Sequence, residues 1–306
     1  MKVSVIIPTY NGAKHLSELM KRLASQSITF ELIIVDSSST DDTVEIVSPY
    51  ADKLLTIPSE TFDHGGTRTL AAKEASGELV IFLTQDALPA DDLSLETLLK
   101  PLKDPEVSAV YGRQLPHEKS SLFGKHLRHF NYPEQSYTRI LQDKERYGLK
   151  TAFFSDSFSV YRKEALERIG YFRDHLIVGE DMTAAANLLM MGYKISYCAE
   201  AEVYHSHSYT ITEEFKRYFD TGVFHADQNW LLDTFGKAEG EGKRYIKSEL
   251  AFLRSCRAYH RIPEFIIRNM MKYLGYKLGT HYQRLPNWLA YRLSMHRHWW
   301  HPIKIS

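Results

Sequence analysis

The first hundred residues alternate short apolar runs with amphipathic runs, and this alternation limits the fold more than any other feature. Strands are predicted where the apolar runs lie, at residues 3–7, 31–35, 53–57 and 78–83. Helices are predicted where apolar residues recur at helical spacing or follow a capping residue, at residues 14–25, 40–47 and 66–76. Strands that alternate with helices predict an α/β fold with a mostly parallel sheet, whose ligand site lies at the carboxyl ends of the strands.

The rest of the chain is more mixed and then becomes helical. Strands are predicted at residues 107–111, 157–161 and 201–204, a loop-rich stretch at 114–147 and a helix at 181–191. Beyond residue 210 the pattern is mainly helical. Because no repeat or low-complexity linker interrupts the chain, we expect one α/β body over residues 1–225. Residues 226–306 then form a helical appendage that packs on it.

Charge divides the chain more sharply than hydropathy does. The chain is neutral, with 38 Lys+Arg and 38 Asp+Glu, yet residues 243–306 hold thirteen Lys/Arg and only two Asp/Glu. Trp and Tyr lie among these basic residues, a composition that suits an interfacial helix on anionic lipid. A helical bundle with a basic solvated face, packed on the body or on a second subunit, remains an alternative. Nucleic acid is disfavoured because nothing in the body resembles a nucleic-acid-binding module.

The cysteines and the N-terminal sequence predict a cytoplasmic protein. Cys198 and Cys256 have no metal-site or disulfide-framework spacing, which favours a reducing compartment. No secretion signal is recognisable near Met1. Apolar runs of about five residues are far shorter than a bilayer span, so we expect any membrane contact to be peripheral.

Two carboxylates follow predicted strands directly. Asp36 opens the polar run at residues 36–41, where a carboxylate can accept hydrogen bonds from a ribose or from a pyrimidine N–H. A polar turn with a helix cap explains this run equally well. Asp86 ends the run at residues 80–86 and can anchor a divalent cation that holds a diphosphate. It is equally suited to cap the next helix.

Three further groups have side chains suited to chemistry. His64 and Arg68 flank two glycines, which let a backbone approach phosphate, although the spacing matches no established phosphate loop. Asp181 follows Glu180 at a helix start and is placed either as a general base or as a complement to the helix dipole. His205 and His207 alternate on an extended run and share a face, so one of them can complete a metal site or both can be solvated.

Taken in order, these segments resemble the inverting GT-A glycosyltransferases of family 2, in particular the bacterial rhamnosyltransferases, over residues 3–224. Residues 5–12 (VIIPTYNG) and 34–41 (IVDSSSTD) are similar to the general family signature. The narrower likeness consists of five blocks, at residues 62–68, 82–89, 112–116, 130–133 and 155–158. The resemblance implies a GT-A fold, a Rossmann-like sheet flanked by helices, with a helical C-terminal appendage.

The resemblance also implies roles for individual residues. Asp181 is the catalytic base, and Asp86 is the surviving carboxylate of an Asp-x-Asp metal motif whose first position is Thr84. His205 or His207 matches the late metal-binding histidine, and His205 is the favoured one. By the same resemblance Asp36 recognises the nucleobase. From position, we expect His64 and Arg68 to contact the donor and Asp156 to contact a sugar hydroxyl. The other expected donor contacts are Thr9, Asn11, Ser38 and Gln85.

The implied reaction is inverting transfer of L-rhamnose from dTDP-β-L-rhamnose, with Mg²⁺ or Mn²⁺ on the diphosphate. The expected acceptor is a lipid-diphosphate-linked saccharide at the inner face of the plasma membrane, in cell-surface polysaccharide synthesis; a homo-oligomer remains open. Alternatives are a GT-A transferase of another sugar nucleotide such as a UDP-hexose, a nucleotidyltransferase, and a non-catalytic glycan- or membrane-binding scaffold. A nucleotidyltransferase is disfavoured because the turn after the first strand has no basic residue before Lys14. The joint presence of Asp36, Asp86 and Asp181 argues against the scaffold.

Overall fold

A nine-stranded sheet forms the centre of the computed structural model, which describes residues 1–236 and 240–300. The strands are β1 Val3–Thr9, β2 Glu31–Asp36, β3 Lys53–Thr56, β4 Leu79–Leu83, β5 Leu88–Pro89, β6 Val107–Leu115, β7 Tyr137–Arg139, β8 Phe158–Arg162 and β9 Lys194–Tyr204. Their order across the sheet is β3-β2-β1-β4-β8-β6-β9-β5, and β7 pairs with β9.

The first four strands form the parallel half that the sequence predicts. β1 pairs in parallel with β2 and β4, and β2 with β3. Leu32 to Val35 are buried in succession because helices cover both faces of the sheet. The register pairs Thr9 with Asp36, so the carboxyl ends of β1 and β2 lie together. Beyond β4, the antiparallel strand β8 joins this half to the parallel pair of β6 and β9.

Helices pack on both faces of the sheet and continue into the C-terminal part. They are α1 Ala13–Ala24, α2 Thr43–Val47, α3 His64–Glu74, α4 Ser94–Leu99, α5 Leu122–Asn131, α6 Lys144–Tyr147, α7 Lys163–Arg168, α8 Glu180–Met190, α9 Ile211–Asp227, α10 Asn229–Phe235, α11 Glu241–Ser255, α12 Ile262–Gly279 and α13 Asn287–Leu293. The α/β fold and the helical C-terminal region are therefore as predicted.

The stretch predicted as loop-rich, residues 114–147, contains regular structure. α5 begins after Ser121, whose side chain accepts a hydrogen bond from the Gly124 N–H. β7 adds to the sheet edge beside β9. This prediction was wrong, and α5 matters because residues of its inner face line a cleft at the carboxyl ends of the strands.

The C-terminal part folds back on the catalytic part. Asp220 of α9 accepts hydrogen bonds from the N–H groups of Met295 and His296, and the Trp299 indole donates to the His175 carbonyl. The expected domain boundary at residues 225 and 226 falls inside α9, and a division into two domains stays a prediction. Within the described ranges, no helix combines the length and the hydropathy needed to cross a bilayer.

Candidate active site

A cleft of about 1030 Å³ lies at the carboxyl ends of the central strands. Nine of the residues predicted from sequence line it: Thr9, His64, Arg68, Gln85, Asp86, Asp156, Asp181, His205 and His207. They come from six strands or helices and the loops after them, and the sheet topology brings them together. The position of the cleft agrees with the expectation for a parallel α/β sheet.

Asp86, His205 and His207 form a three-residue cluster in this cleft. The Nε2 atoms of His205 and His207 lie 3.4 and 3.8 Å from the two carboxylate oxygens of Asp86. One ligand atom from each residue lies within 4.8 Å of the others, a spacing that a single cation can bridge. Burial lowers the pKa of His207 to about 4, so its ring is neutral at pH 7 and keeps a lone pair for coordination. The set therefore fits a divalent cation.

Hydrogen bonds orient His205 toward Asp86. The Nδ1 atom of His205 lies 2.9 Å from Gln114 Oε1, which also accepts from Arg128. Because that oxygen can only accept, Nδ1 carries the proton, and the Nε2 lone pair of the neutral ring is left for a cation beside Asp86, the arrangement usual for a metal-ligating histidine. Burial raises the pKa of Asp86, but the protonated forms of His205 and His207, which donate to this carboxylate or attract it, together outweigh burial and lower the pKa below its usual range.

Three carboxyl groups and one guanidinium form a second group in the wall of the cleft. Arg68 is buried and lies 3.0 Å from Glu180 Oε1 and 3.7 Å from Asp156 Oδ2. Asp181 accepts hydrogen bonds from the N–H of Met182 at 2.7 Å and of Asp156 at 3.3 Å. These bonds fix its carboxylate at the first turn of α8, while part of its surface stays open to the cleft.

The excess of carboxyl groups controls their protonation. Burial raises the pKa of Asp156 to about 6, against the opposing effect of Arg68. Burial, Glu180 and Asp156 together raise the pKa of Asp181 well above its usual value. One guanidinium cannot neutralise three carboxylates, so this wall favours retention of a proton. A carboxylate with a raised pKa is a stronger base once it is ionised, which suits removal of a proton from a hydroxyl group.

The predicted nucleotide residues divide between the cleft and the loops behind it. Asp36 is 1% exposed, and it accepts hydrogen bonds from the Thr9 hydroxyl at 2.9 Å and from the Ser39 hydroxyl and N–H. Asn11 accepts from the Thr40 N–H, and the Ser38 hydroxyl donates to the Ile57 carbonyl. Asp36, Asn11 and Ser38 thus hold the strand-end loops and do not line the cleft. Their direct contact with a nucleotide stays a prediction.

The glycine-containing segment after β3 is a helix start. Asp63 caps α3 by accepting from the Gly66 N–H, and it also accepts from the His175 N–H. A Cβ at Gly65 would lie 2.0 Å from the Arg173 carbonyl oxygen, so this glycine permits close packing of two chain segments.

The C-terminal segment enters the cleft beside His64. The ring of His296 lies 5.3 Å from that of His64, and His298 follows at 6.0 Å from His296. Burial, with the nearby positive charge of Arg68, lowers the pKa of His64 to about 3, and burial similarly lowers that of His296 to about 3. Both rings are therefore neutral at pH 7 and form an uncharged wall. The sequence left two alternatives for the C-terminal region, docking on a membrane and packing on the body or a second subunit, and this segment packs on the body.

Several cleft residues carried no role in the sequence interpretation. Gln114 lay in a recognised block without an assigned function, and Arg128, Tyr209, Arg217, Tyr218, His296 and His298 were not selected. The sequence gives little indication that these residues share a site, because they come from helices or loops far apart in the chain. Only the tertiary fold brings them to one surface.

The chain is similar to known proteins over most of its length. The model of glycosyl transferase family 2 matches residues 4–170. The O-antigen chain rhamnosyltransferase RfbN of Salmonella typhimurium is 44% identical over 309 residues, covering 100% of this chain and 98% of the relative. The O-antigen chain rhamnosyltransferase WbaN of Salmonella anatum is also 44% identical, covering 99% and 97%.

Solved structures show the same fold at lower identity. The mannosyltransferase PcManGT of Pyrobaculum calidifontis, solved with GDP-Man and Mn²⁺, has a TM-score of 0.64 at 19% identity, covering 93% of this chain and 88% of that one. Staphylococcus aureus TarS 1-349 with UDP-GlcNAc has a TM-score of 0.58 at 20% identity, covering 96% and 84%.

Proposed function

The chain belongs to glycosyl transferase family 2, and from this membership we propose that it transfers L-rhamnose from dTDP-β-L-rhamnose to a hydroxyl group of a saccharide. The reaction serves synthesis of a cell-surface polysaccharide. Relatives named as O-antigen chain rhamnosyltransferases, matched over nearly the whole chain, support the sugar and the process. One observation carries the chemistry: a cation-binding cluster and a carboxylate suited as a base line the same cleft.

Asp181 acts as the general base. It takes the proton of the acceptor hydroxyl while the oxygen attacks C1 of rhamnose. The bond from C1 to the diphosphate breaks, and dTDP leaves with the bonding electrons. Attack from the face opposite the leaving group inverts the anomeric centre and gives an α-L-rhamnoside. The backbone N–H groups of Met182 and Asp156 support this role because they hold the Asp181 carboxylate in one orientation.

Asp86, His205 and His207 would hold the divalent cation. Bound there, it would offset the negative charge that develops on the leaving diphosphate. Mg²⁺ prefers oxygen ligands and keeps its waters, whereas imidazole nitrogens suit later transition metals better. Of the two expected ions, the ligand set therefore favours Mn²⁺.

The proposed acceptor is a lipid-diphosphate-linked saccharide, and the enzyme is proposed to dock peripherally on the inner face of the plasma membrane. The exposed side of α12 supports this location. Six large apolar side chains are 39–62% exposed along this helix: Ile266, Ile267, Met270, Tyr273, Leu274 and Leu278. An exposed apolar face of this size indicates a contact surface.

Basic side chains surround this face in sequence and favour an anionic partner. Lys243, Lys247, Arg254, Arg257, Lys277, Arg284, Arg292 and Arg297 are all exposed. Residues 243–306 contain two acidic residues, and both already form ion pairs within this region. Glu249 pairs with Lys272, and Glu264 pairs with Arg261 and Arg268. Positive charge without matching acidic residues, beside exposed apolar groups, suits a leaflet of anionic lipid.

Transfer of radiolabelled rhamnose tests the function. Purified enzyme with Mn²⁺, dTDP-β-L-rhamnose and a lipid-diphosphate-linked saccharide is expected to give an α-L-rhamnoside. An Asp181→Asn variant is expected to lose roughly 10²- to 10⁴-fold in rate, because it cannot accept the proton, while its affinity for dTDP stays unchanged.

Asp174→Asn is the matched control, since Asp174 is exposed and lies outside the cleft. Its rate should equal that of the unmodified enzyme. Normal transfer by Asp181→Asn would exclude this residue as the base. Transfer from UDP-hexoses in place of dTDP-rhamnose would exclude the proposed donor.

A further inference from the structure

Arg128 is a buried cation with no carboxylate partner among the described residues, and its guanidinium lies 5.8 Å from the centre of the Tyr132 ring. The residue is 7% exposed on the inner face of α5, where its Nη1 donates to Gln114 Oε1. Its Nε has no hydrogen-bond partner, and no carboxylate of the described residues forms an ion pair with it. Arg68 and Arg268, which are buried to a similar extent, each pair with two carboxylates.

An unpaired buried charge is unfavourable, and this one borders the cleft. Burial lowers the pKa of Arg128, the direction expected where solvation is lost and not replaced. The fold therefore keeps a guanidinium at this point with only the neutral Gln114 oxygen and the Tyr132 ring beside it. An anion in the cleft would provide the opposite charge that the described residues do not.

Arg217 places a second guanidinium in the same region. Its side chain on α9 is exposed to the cleft, and its Nη1 donates to the Tyr209 hydroxyl at 2.9 Å. Tyr209 in turn packs against His207, with ring centres 5.4 Å apart. Among the described residues no carboxylate forms an ion pair with Arg217.

Both arginines lie close to the metal-binding cluster. Arg128 and His205 share Gln114 Oε1, and Arg217 contacts Tyr209, which packs against His207. A guanidinium binds two oxygens of a phosphate at once, and a divalent cation favours the same ligand. Neutral sugar hydroxyls would not require two cations that lack a carboxylate partner.

We propose that Arg128 and Arg217 form a phosphate-binding subsite next to Asp86, His205 and His207. The inference rests on the proposed function only for the source of the phosphate, since both the sugar nucleotide and the lipid-linked acceptor carry a diphosphate. Binding to the nucleotide would make the arginines stabilise the leaving group, whereas binding to the acceptor lipid would make them position the substrate.

Calorimetric titrations of the full chain with Mn²⁺ test the subsite with three probes: inorganic pyrophosphate, dTDP and farnesyl diphosphate. The variants are Arg128→Gln, Arg217→Gln and the double variant. Loss of a charge-assisted bidentate contact is expected to weaken pyrophosphate binding roughly 10- to 100-fold in each single variant. Arg139→Gln and Lys216→Gln are matched controls, because both residues lie outside the cleft, Arg139 part-buried and Lys216 close to Arg217 on α9. Neither should change the affinity.

The probes separate the two sources. Weaker binding of dTDP, with farnesyl diphosphate unaffected, assigns the subsite to the donor, and the reverse assigns it to the acceptor. Arg217 is exposed, so Arg217→Gln should fold normally. If this variant binds pyrophosphate as tightly as the unmodified chain, the proposal is overturned. If the unmodified chain does not bind dTDP, but its pyrophosphate binding still depends on the two arginines, the proposed donor is contradicted. The phosphate-binding subsite would then still stand.

Discussion

Asp181 shares one wall of the cleft with two other carboxyl groups, so its proton affinity depends on its neighbours. Its pKa is raised by burial first and then by Glu180 and Asp156. A base works only when ionised, so activity must fall as the pH drops through this raised pKa. The usual pKa of an aspartate is about 4. We therefore expect the acid limb of the kcat/KM profile to lie well above pH 4.

Substitution of Glu180 by Gln is expected to move that limb to lower pH. The change removes a neighbouring negative charge while keeping a group that can accept from Arg68. Profiles of kcat/KM from pH 5 to 9 measure the shift, and Glu167→Gln, exposed and outside the cleft, should leave the profile in place. An unchanged or upward-shifted limb in Glu180→Gln would show that another group controls the acid side.

The individual residues also show how far sequence reasoning reaches. Asp86 and Asp181 were recognised because each follows a strand or begins a helix, and the topology then brought them to one cleft. His205 and His207 remained alternatives, yet both lie near Asp86, His205 being nearer and better oriented. Arg128 could not be selected, because an arginine in an unrecognised helix gives no local sign that its charge is unpaired.

Among the elements, the strands of the parallel half were predicted well, whereas α5 was missed. Strands such as β2 are apolar on both faces, which gives a strong signal. α5 also has a helical pattern, because Leu122, Phe123, Leu127 and Phe130 recur at helical spacing. The helix is short and lies between polar stretches, and its buried side includes His126 and Arg128, so the pattern was overlooked although the sequence contains it.

The α9–α12 pair depends on three glycines that allow backbone contact. A Cβ at Gly222 would lie 2.3 Å from the Tyr276 carbonyl oxygen, and one at Gly275 or Gly279 would meet the Phe215 or Phe219 carbonyl oxygen at 2.4 or 2.1 Å. None of these backbone atoms can rotate away as a side chain can. The two helices therefore fit only with glycine at these positions.

Gly222→Ala is expected to lower the free energy of unfolding by about 1–3 kcal/mol, because the helices must move apart. α9 also carries Arg217 into the cleft, so activity should fall with stability. Gly242→Ala is the matched control, since nothing lies within 4 Å of a Cβ at this helical position. It should be neutral or stabilising by up to about 1 kcal/mol. Urea denaturation measures both, and equal effects would contradict the close-packing argument.

At the scale of the whole molecule, the C-terminal part has two faces with different contacts. Its last described residues close against the catalytic part through Asp220 and His175, and His296 reaches the cleft. The apolar side of α12 is exposed instead. The basic tail is therefore not simply a localising appendage, because part of it completes the catalytic cleft.

Docking on an anionic membrane should depend on the α12 face and on salt. Changing Ile266, Met270 and Leu274 together to Ser is expected to weaken sedimentation with phosphatidylglycerol vesicles roughly tenfold or more, because apolar burial is lost, whereas transfer to a soluble acceptor should persist. Met190 and Met191, exposed to a similar degree on the catalytic part, provide the control when changed to Ser. Raised ionic strength should weaken binding of the unmodified chain, since exposed charges are screened. If the triple variant still sediments with the vesicles as the unmodified chain does, this face is not the membrane contact. If the unmodified chain is a dimer and the triple variant is a monomer, the face binds a second copy of the chain instead.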